Sequence, residues 1–355
     1  MTTTTATATT TATTTATTTA TTTAGQPLSQ KTVDGAAAEI QRLLEALQHT
    51  VVGQEAAIEQ LVVAMLAAGH VLLEGVPGVA KTLLARAVAA ALGAEFGRVQ
   101  FTPDLMPTDL CGTRVYNPEN RSWEVHKGPI FCEVLLADEI NRTPPQTQAA
   151  LLEAMEERQV TLDGTRHPLP SEFFVVATQK PLEFEGTYPL PEAQTDRFLV
   201  KIVIGYPAAD DELRLLALGA RHRADLPRAV VDADALQRLQ GLVHQVVVDD
   251  SVRRYVLSLL QATRTSSSLR LGASPRSGLM VIRAAQARAL VHGRSFVLPD
   301  DIKAVAVPVM RHRLTLSTDA ELDGLDVVAV VGSLLDRLPV LPPTQATTTP
   351  AQAPR

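Results

Sequence analysis

Residues 72–84, LLEGVPGVAKTLL, decide how this chain folds. An apolar strand pattern runs into a glycine-rich turn, after which Lys81 and Thr82 open an apolar helical run. This order is typical of a loop that binds nucleotide phosphates through its backbone N–H groups. The usual pattern has glycine directly before the lysine, whereas this chain has Ala80. Alanine fits there if its φ is helical, because the residue already enters the helix, and we therefore predict that the loop still binds a nucleotide.

The residues of the predicted phosphate loop have distinct predicted roles. Glycines let the backbone turn toward the phosphates, Lys81 would meet the β- and γ-phosphates, and Thr82 would bind Mg²⁺. The alternative is a tight strand-to-helix turn that carries an unrelated lysine. The predicted nucleotide-binding residues of this stretch are Gly75, Val76, Pro77, Gly78, Val79, Ala80, Lys81, Thr82 and Leu83.

An acidic pair follows a second apolar strand pattern. Residues 134–139 read VLLADE, so Asp138 and Glu139 lie at the end of that strand. ATP hydrolysis needs one carboxylate for Mg²⁺, here Asp138, and one that orients the attacking water, here Glu139. An isolated acidic pair is often only a solvated strand edge, but together with the phosphate loop it predicts an ATPase.

Strand and helix patterns alternate through the first part of the chain. Apolar runs bounded by helical stretches predict an α/β core with a mostly parallel sheet, followed by an all-α domain from a boundary near Pro207. Thr143 is predicted to cap a helix that starts at Pro144. The predicted strands are 70–75, 98–102, 130–138, 173–178 and 198–204, and the predicted domains are 31–206 (core) and 207–340 (helical), between disordered tails at 1–30 and 341–355.

Composition excludes several classes of protein. The net charge of −6 argues against a non-specific nucleic-acid coat, and two isolated cysteines do not make a disulfide framework. No apolar run is long enough to cross a bilayer, and the Thr/Ala tract at residues 2–24 lacks the basic start and apolar segment of a secretory signal. We expect a cytoplasmic protein.

Two longer stretches resemble a known family. LLADEINRTPPQTQAALLEAMEERQVT (135–161) and PLEFEGTYPLPEAQTDRFL (181–199) are similar to the MoxR family of AAA+ ATPases, and the resemblance runs from about residue 32 to 339. It implies an AAA+ α/β core, a helical lid, and hexameric rings with ATP at subunit interfaces. It also implies a protein client, and often a partner with a von Willebrand factor A domain.

The resemblance assigns further site residues. The segment VVGQE (51–55), which contains Val52 and Gly53, looks like the part that packs near adenine. Arg197 matches the arginine finger offered to a neighbouring subunit, with Arg142 as the rival and a structural pair with Asp196 as the alternative. Arg276, at the start of a lid helix, matches the second sensor that couples the γ-phosphate to the lid. A plain surface arginine is the alternative for Arg276.

One position departs from the family pattern. The family shows ATQNP after the fourth strand, where the asparagine helps to hold the attacking water, but this chain reads ATQKP with Lys180 in that place. Lysine is a long point cation and not a neutral amide. We expect ATP binding to be retained and water positioning to be weakened, unless Lys180 approaches the γ-phosphate or Gln179 substitutes.

Two further segments match the clade. Residues 100–129, with Trp123, resemble the insert that it carries in the second helix of the core, and 158–172 look like a β-hairpin ahead of the fourth strand. In the wider clade such elements face the ring pore or a client, and an ordinary surface hairpin is the alternative for 158–172. Three functions remain open: a ring-forming ATPase that matures a client, a nucleotide-dependent assembly switch with slow hydrolysis, and a DNA motor. The acidic balance makes the DNA motor the weakest of the three.

Overall fold

The computed structural model describes residues 28–180, 188, 190–218 and 225–339. The predicted tails at 1–30 and 341–355 lie outside this part, except for residues 28–30, and Gln30 already starts the first helix. Part of the family-like stretch 181–199 also lies outside it.

The strands are numbered in chain order. They are β1 (His70–Gly75), β2 (Phe96–Gln100), β3 (Gly112–Asn117), β4 (Ser122–Lys127), β5 (Val134–Asp138), β6 (Gln159–Leu162), β7 (Thr165–Pro168), β8 (Phe174–Gln179), β9 (Phe198–Ile204), β10 (Leu269–Leu271) and β11 (Thr315–Leu316).

The helices are numbered in the same way, and a short 3₁₀ helix spans Ile140–Arg142. They are α1 (Gln30–Thr50), α2 (Glu55–Leu66), α3 (Lys81–Leu92), α4 (Pro107–Cys111), α5 (Pro145–Glu157), α6 (Glu192–Thr195), α7 (Ala209–Leu218), α8 (Ala233–Val243), α9 (Asp250–Thr265), α10 (Pro275–Val291), α11 (Pro299–Met310), α12 (Thr318–Leu322) and α13 (Val327–Arg337).

The central sheet is parallel and has the strand order β2-β5-β8-β1-β9. Side chains alternate between its two faces, as strand geometry requires. Val71 and Leu73 join the apolar cluster under α1, α2, α3 and the helical domain, whereas Leu72 joins the cluster under α5. Both faces are therefore covered, which confirms the predicted α/β class and explains why these strands read as continuous apolar runs.

The segment after β9 folds as the predicted helical lid. Helices α7 to α13 make up most of it, and a short antiparallel pair, β10 with β11, is added to the predicted all-α arrangement. Helix α10 packs on α11, α9, α2 and α1, so the lid and the core share one apolar cluster. The boundary near Pro207 stays a prediction.

Two local predictions are wrong. The strand predicted at 130–138 is limited to β5, because Ile130 donates its backbone N–H to Leu110 and Cys132 to Ile130 in a turn. Helix α5 begins at Pro145 with Pro144 as its N-cap, so Thr143 does not cap it. The Thr143 side chain is fully buried, and its Oγ1 has no hydrogen-bond partner among the described residues.

Among the helices of the described residues, none has both the length and the apolar character that a membrane crossing requires.

Candidate active site

The phosphate loop lies where β1 ends and α3 begins. Its lysine turns back into the loop: Lys81 Nζ donates to the carbonyl oxygens of Gly75 and, at 3.2 Å, Val76. Burial lowers the pKa of Lys81, while the charges of Asp138 and Glu139 oppose that shift. The acidic pair at the end of β5 therefore faces the lysine, as the parallel sheet requires.

Ala80 does not have the helical φ that we expected. Its φ is +62° and its ψ is 19°, in the left-handed region, and it forms the N-cap of α3. The nearby Gly78 also has a positive φ, of +90°. The left-handed conformation costs an L-residue roughly 1–2 kcal/mol, which explains why glycine suits this position. The loop nevertheless keeps its shape with alanine, because the surrounding strand and helix fix it.

A cavity of about 640 Å³ adjoins the loop, a size that suits a nucleoside. It is bounded on one side by Tyr206 and Leu216 at the start of the lid, which are 73% and 77% exposed. Gly53 packs closely against Pro207, next to this side of the cavity. A Cβ at position 53 would come within 2.8 Å of Pro207 Cβ, so only glycine fits there. Of the predicted nucleotide-binding residues, Val52, Gly78, Val79, Ala80 and Leu83 line the cavity.

Asp138 is held through both carboxylate oxygens. Thr178 Oγ1, on β8, donates to Asp138 Oδ1 at 2.7 Å, and Arg98 Nη2, on β2, donates to Asp138 Oδ2 at 2.8 Å. Arg98 is half exposed, whereas the aspartate side chain is 12% exposed. The guanidinium group of Arg98 thus already neutralises the Asp138 carboxylate.

Glu139 is held between two cations. Lys180 Nζ lies 2.9 Å from Oε1 and Arg142 Nη1 lies 2.9 Å from Oε2. Burial alone would raise the pKa of Glu139, but the hydrogen bonds from Lys180 and Arg142 outweigh it and hold that pKa below its usual value. Lys180 therefore does not replace the family's asparagine as a neutral water-holding group. It neutralises the carboxylate that would orient the water.

Two buried polar residues that the sequence reasoning missed fix this arrangement. Thr178 Oγ1 also accepts the backbone N–H of Glu139 at 2.8 Å, so one hydroxyl ties both acidic residues to β8. Asn141 donates to the carbonyl of Lys180 at 3.0 Å and accepts its N–H at 3.2 Å. Glu139 has a φ of +59°, so its backbone conformation needs such support. The motifs EINR and ATQKP contained both residues, but no sequence period pairs them.

The remaining predicted arginines lie at the other edge of the sheet. Arg197 directly precedes β9, and its Nη1 donates to Leu152 O at 2.8 Å and pairs with Glu156 on α5. The alternative pair with Asp196 is therefore wrong, since Arg313 holds Asp196 at 2.6 Å. The phosphate loop follows the opposite end of the parallel strand β1, whose five Cα steps span about 17 Å.

Arg276 is the second residue of α10 and lies beside Arg197. Its Nη1 is 3.6 Å from Glu156 Oε1, and its Nε is 3.5 Å from Asp196 Oδ2. Both arginines line one cavity of about 360 Å³ with His70, at the amino end of β1. The structure thus does not bring Arg276 to the phosphate loop of its own chain, because the length of the sheet separates them.

The oxygen donors at the loop fit Mg²⁺. Thr82 offers a hydroxyl on the first turn of α3, and Asp138 offers a carboxylate. No group of three or more acidic, histidine or cysteine side chains with metal-site geometry occurs in the described part of the chain. Mg²⁺ typically binds one or two carboxylates together with phosphate oxygens and waters, so a larger protein cage is not needed.

The insert-like segment 100–129 and the predicted hairpin at 158–172 each contain an antiparallel strand pair. Strands β3 and β4 pair antiparallel and expose Trp123 by 59%, while Tyr116 meets it edge-on at 5.4 Å. Strands β6 and β7 form the hairpin predicted within 158–172.

Family models match two parts of the chain. Residues 70–200 match the model of the ATPase family associated with various cellular activities (AAA), and residues 261–333 match the AAA lid domain.

Individual relatives cover most of its length. The chain is 45% identical to the uncharacterised protein YeaC of Bacillus subtilis, over 84% of this chain and 94% of that protein. It is 43% identical to the chaperone MoxR1 of Mycobacterium tuberculosis, over 85% and 83% respectively. The crystal structure of a candidate ATPase from Cytophaga hutchinsonii superposes with a TM-score of 0.81 at 37% identity, covering 88% of this chain and 98% of the other.

Replacing Ala80 by glycine should stabilise the protein. Glycine adopts the left-handed conformation without strain, so we expect A80G to raise the free energy of unfolding by about 0.5–1 kcal/mol. The melting temperature should rise by roughly 1 °C, because the unfolding entropy of a chain this long is large. The matched control A90G places glycine inside α3 and should lower the free energy of unfolding by about 1 kcal/mol. A lower melting temperature for A80G would contradict the left-handed backbone.

Thr178 should be needed for turnover through its hydroxyl. In T178V the Glu139 N–H loses its acceptor and Asp138 loses a donor, which should cost about 1–3 kcal/mol of stability and most of the ATP turnover. T178S should retain both. The control T263V removes a buried hydroxyl in the lid that also donates one hydrogen bond, to the Leu260 carbonyl, and accepts one, from the Ala273 N–H. It should lose similar stability but keep its turnover, as measured on folded protein. Equal turnover losses in T178V and T263V would exclude a specific role for Thr178.

Proposed function

Because this chain belongs to the MoxR family of AAA+ ATPases, we propose that it hydrolyses ATP within a ring of its own copies and so matures or remodels a protein client. The ATPase activity follows from the family, and the chaperone MoxR1 is among its relatives. The ring and the client are the proposed part.

The ring proposal is supported by one observation: the predicted catalytic residues lie at two opposite edges of the central sheet. Lys81, Asp138 and Glu139 lie at the carboxyl edge, whereas Arg197 precedes β9 at the amino edge, and a strand length of about 17 Å separates the two edges. An arginine there cannot reach the γ-phosphate of its own chain. It can reach a nucleotide on a second copy that packs against this edge.

In the proposed site, each residue acts on ATP bound at the loop. Lys81 leaves the loop carbonyls for the β- and γ-phosphates, and Glu139 orients the attacking water. Thr82 and Asp138 would hold Mg²⁺, which when bound neutralises charge that develops on the phosphates. Arg197 of the neighbouring copy would stabilise the transferring phosphoryl group, and Arg276 would respond to the same phosphate. Val52 and Gly53 would lie beside the adenine.

A nucleotide-dependent assembly switch is the second candidate, and the pairing of Lys180 with Glu139 favours it. A glutamate whose two oxygens already accept from Lys180 and Arg142 is a weaker base and a weaker hydrogen-bond acceptor toward the attacking water. Hydrolysis is therefore slow until one of the cations moves. ATP binding would then set the ring geometry for longer than in relatives with asparagine at this position.

The partners are proposed from the family alone. They are a von Willebrand factor A domain protein and a client that it presents, acting in the cytoplasm. Arg142 stays in the proposal as a partner of Glu139, and Arg197 as the finger. The net charge of −6 does not support a nucleic-acid partner.

Mixing two inactive variants should restore activity if Arg197 acts across a subunit interface. K81A should lose nucleotide binding, and R197A should bind ATP normally but lose about 10³–10⁵-fold in turnover. In a mixture, some interfaces join the intact loop of R197A to the intact arginine of K81A. We therefore expect turnover well above the sum of the separate variants. A mixture no more active than that sum, with mixed rings present by native mass spectrometry, would refute the assignment.

K180N should accelerate hydrolysis. Removing the cation frees Glu139 Oε1, so we expect turnover to rise several-fold with little change in KM. Because Lys180 helps to keep the pKa of Glu139 low, the acidic limb of kcat/KM should also move to higher pH in K180N. The control K303N removes a charge from the exposed face of α11 and should change neither. Unchanged turnover and pH profile in K180N would sink the idea.

A further inference from the structure

Glu156, in the last turn of α5, bridges the two arginines at the amino edge. One carboxylate oxygen pairs with Arg197 Nη1 and the other lies 3.6 Å from Arg276 Nη1. All three side chains are partly exposed, at 43% for Glu156, 30% for Arg197 and 50% for Arg276. The bridge is therefore open to solvent and to another molecule.

The cavity around this bridge is strongly cationic. Among its described lining residues Glu156 is the one carboxylate, beside the guanidinium groups of Arg158, Arg197, Arg276 and Arg283. Burial, and then the charge of Arg158, lower the pKa of Arg283, and Arg283 Nε is buried without a hydrogen-bond partner among the described residues. Asp196, outside this lining, lies 3.5 Å from Arg276 Nε, but Arg313 binds it as well. Two carboxylates do not balance five guanidinium groups, so the cavity suits an additional or a larger anion.

The chemistry of the bridge identifies the class of anion. Arginine presents N–H groups in a planar fork that matches the oxygens of carboxylates and phosphates alike. A carboxylate set between two such forks thus marks a position that a phosphate can fill. A nucleotide bound at the phosphate loop of the same chain is too far away to place its phosphate there.

We propose that Glu156 is an internal stand-in for the terminal phosphate of ATP bound to a second copy. In the isolated chain it keeps Arg197 and Arg276 oriented and neutralised. On assembly the two arginines exchange the carboxylate for the phosphate, so each lost ion pair is replaced by a new one. Glu156 consequently raises the nucleotide occupancy needed before copies associate. This proposal rests on the proposed function for the source of the phosphate.

Binding of inorganic tripolyphosphate to the full-length chain tests the stand-in without a ring or turnover. The K81A background weakens binding at the chain's own loop. In that background, E156Q should bind tripolyphosphate at least about threefold more tightly than its parent in low-salt calorimetry, since a carboxylate that competes for two arginines is gone. Adding R276A should abolish the gain.

E157Q is the matched control. Glu157 neighbours Glu156 on α5, is exposed and accepts a hydrogen bond from Gln159, so its loss changes the net charge equally. It should leave tripolyphosphate affinity near that of the parent. Equal affinities for E156Q and E157Q, or a gain that survives R276A, would overturn the proposal. Failure of the K81A and R197A mixture to regain turnover would instead count against the ring, and the calorimetric result would stand apart from it.

Discussion

The parallel pairing of β5, β8 and β1 is the constraint on which the whole site depends. Because all three strands run in one direction, the acidic pair, Lys180 and the phosphate loop emerge side by side at one edge. The same pairing lets the Thr178 hydroxyl on β8 reach both Asp138 and Glu139 on β5. It also sends Arg197, which precedes a fifth parallel strand, to the opposite edge. The same topology thus brings the acidic pair to the loop and separates the predicted arginine finger from it.

The charged side chains of the candidate active site are paired with other groups of the same chain. Arg98 occupies an oxygen of the predicted Mg²⁺ ligand Asp138, and Lys180 occupies an oxygen of Glu139. Lys81 is turned onto carbonyls of its own loop. Each pair offsets the cost of holding a charge in a partly buried site, because an unpaired buried charge is destabilising. These charges are therefore compensated in the free chain, and in the proposed site ATP would displace their internal partners.

The sequence predicted the class of the fold because apolar runs, glycines and the acidic pair are local signals. It placed the loop, β1 and β9 correctly from such signals alone. The sequence-based prediction failed where tertiary contacts determine the local conformation. Ala80 takes a left-handed φ that only the folded loop imposes, and burial of the Thr143 side chain leaves the capping role to Pro144. Contacts such as that between Lys180 and Glu139 join residues 41 positions apart, which no periodicity reveals.

The two edges of the sheet hold complementary restraints. At the carboxyl edge Lys180 and Arg142 restrain a carboxylate, and at the amino edge Glu156 restrains two arginines. A nucleotide between two copies would bring a negative phosphate toward both edges at once, attracting the cations from Glu139 and competing with Glu156 for the arginines. The same charge would then favour association and release Glu139, the proposed water-orienting residue. Hydrolysis in this chain is in that case coupled to assembly by electrostatics, without any large movement of the sheet that carries the groups.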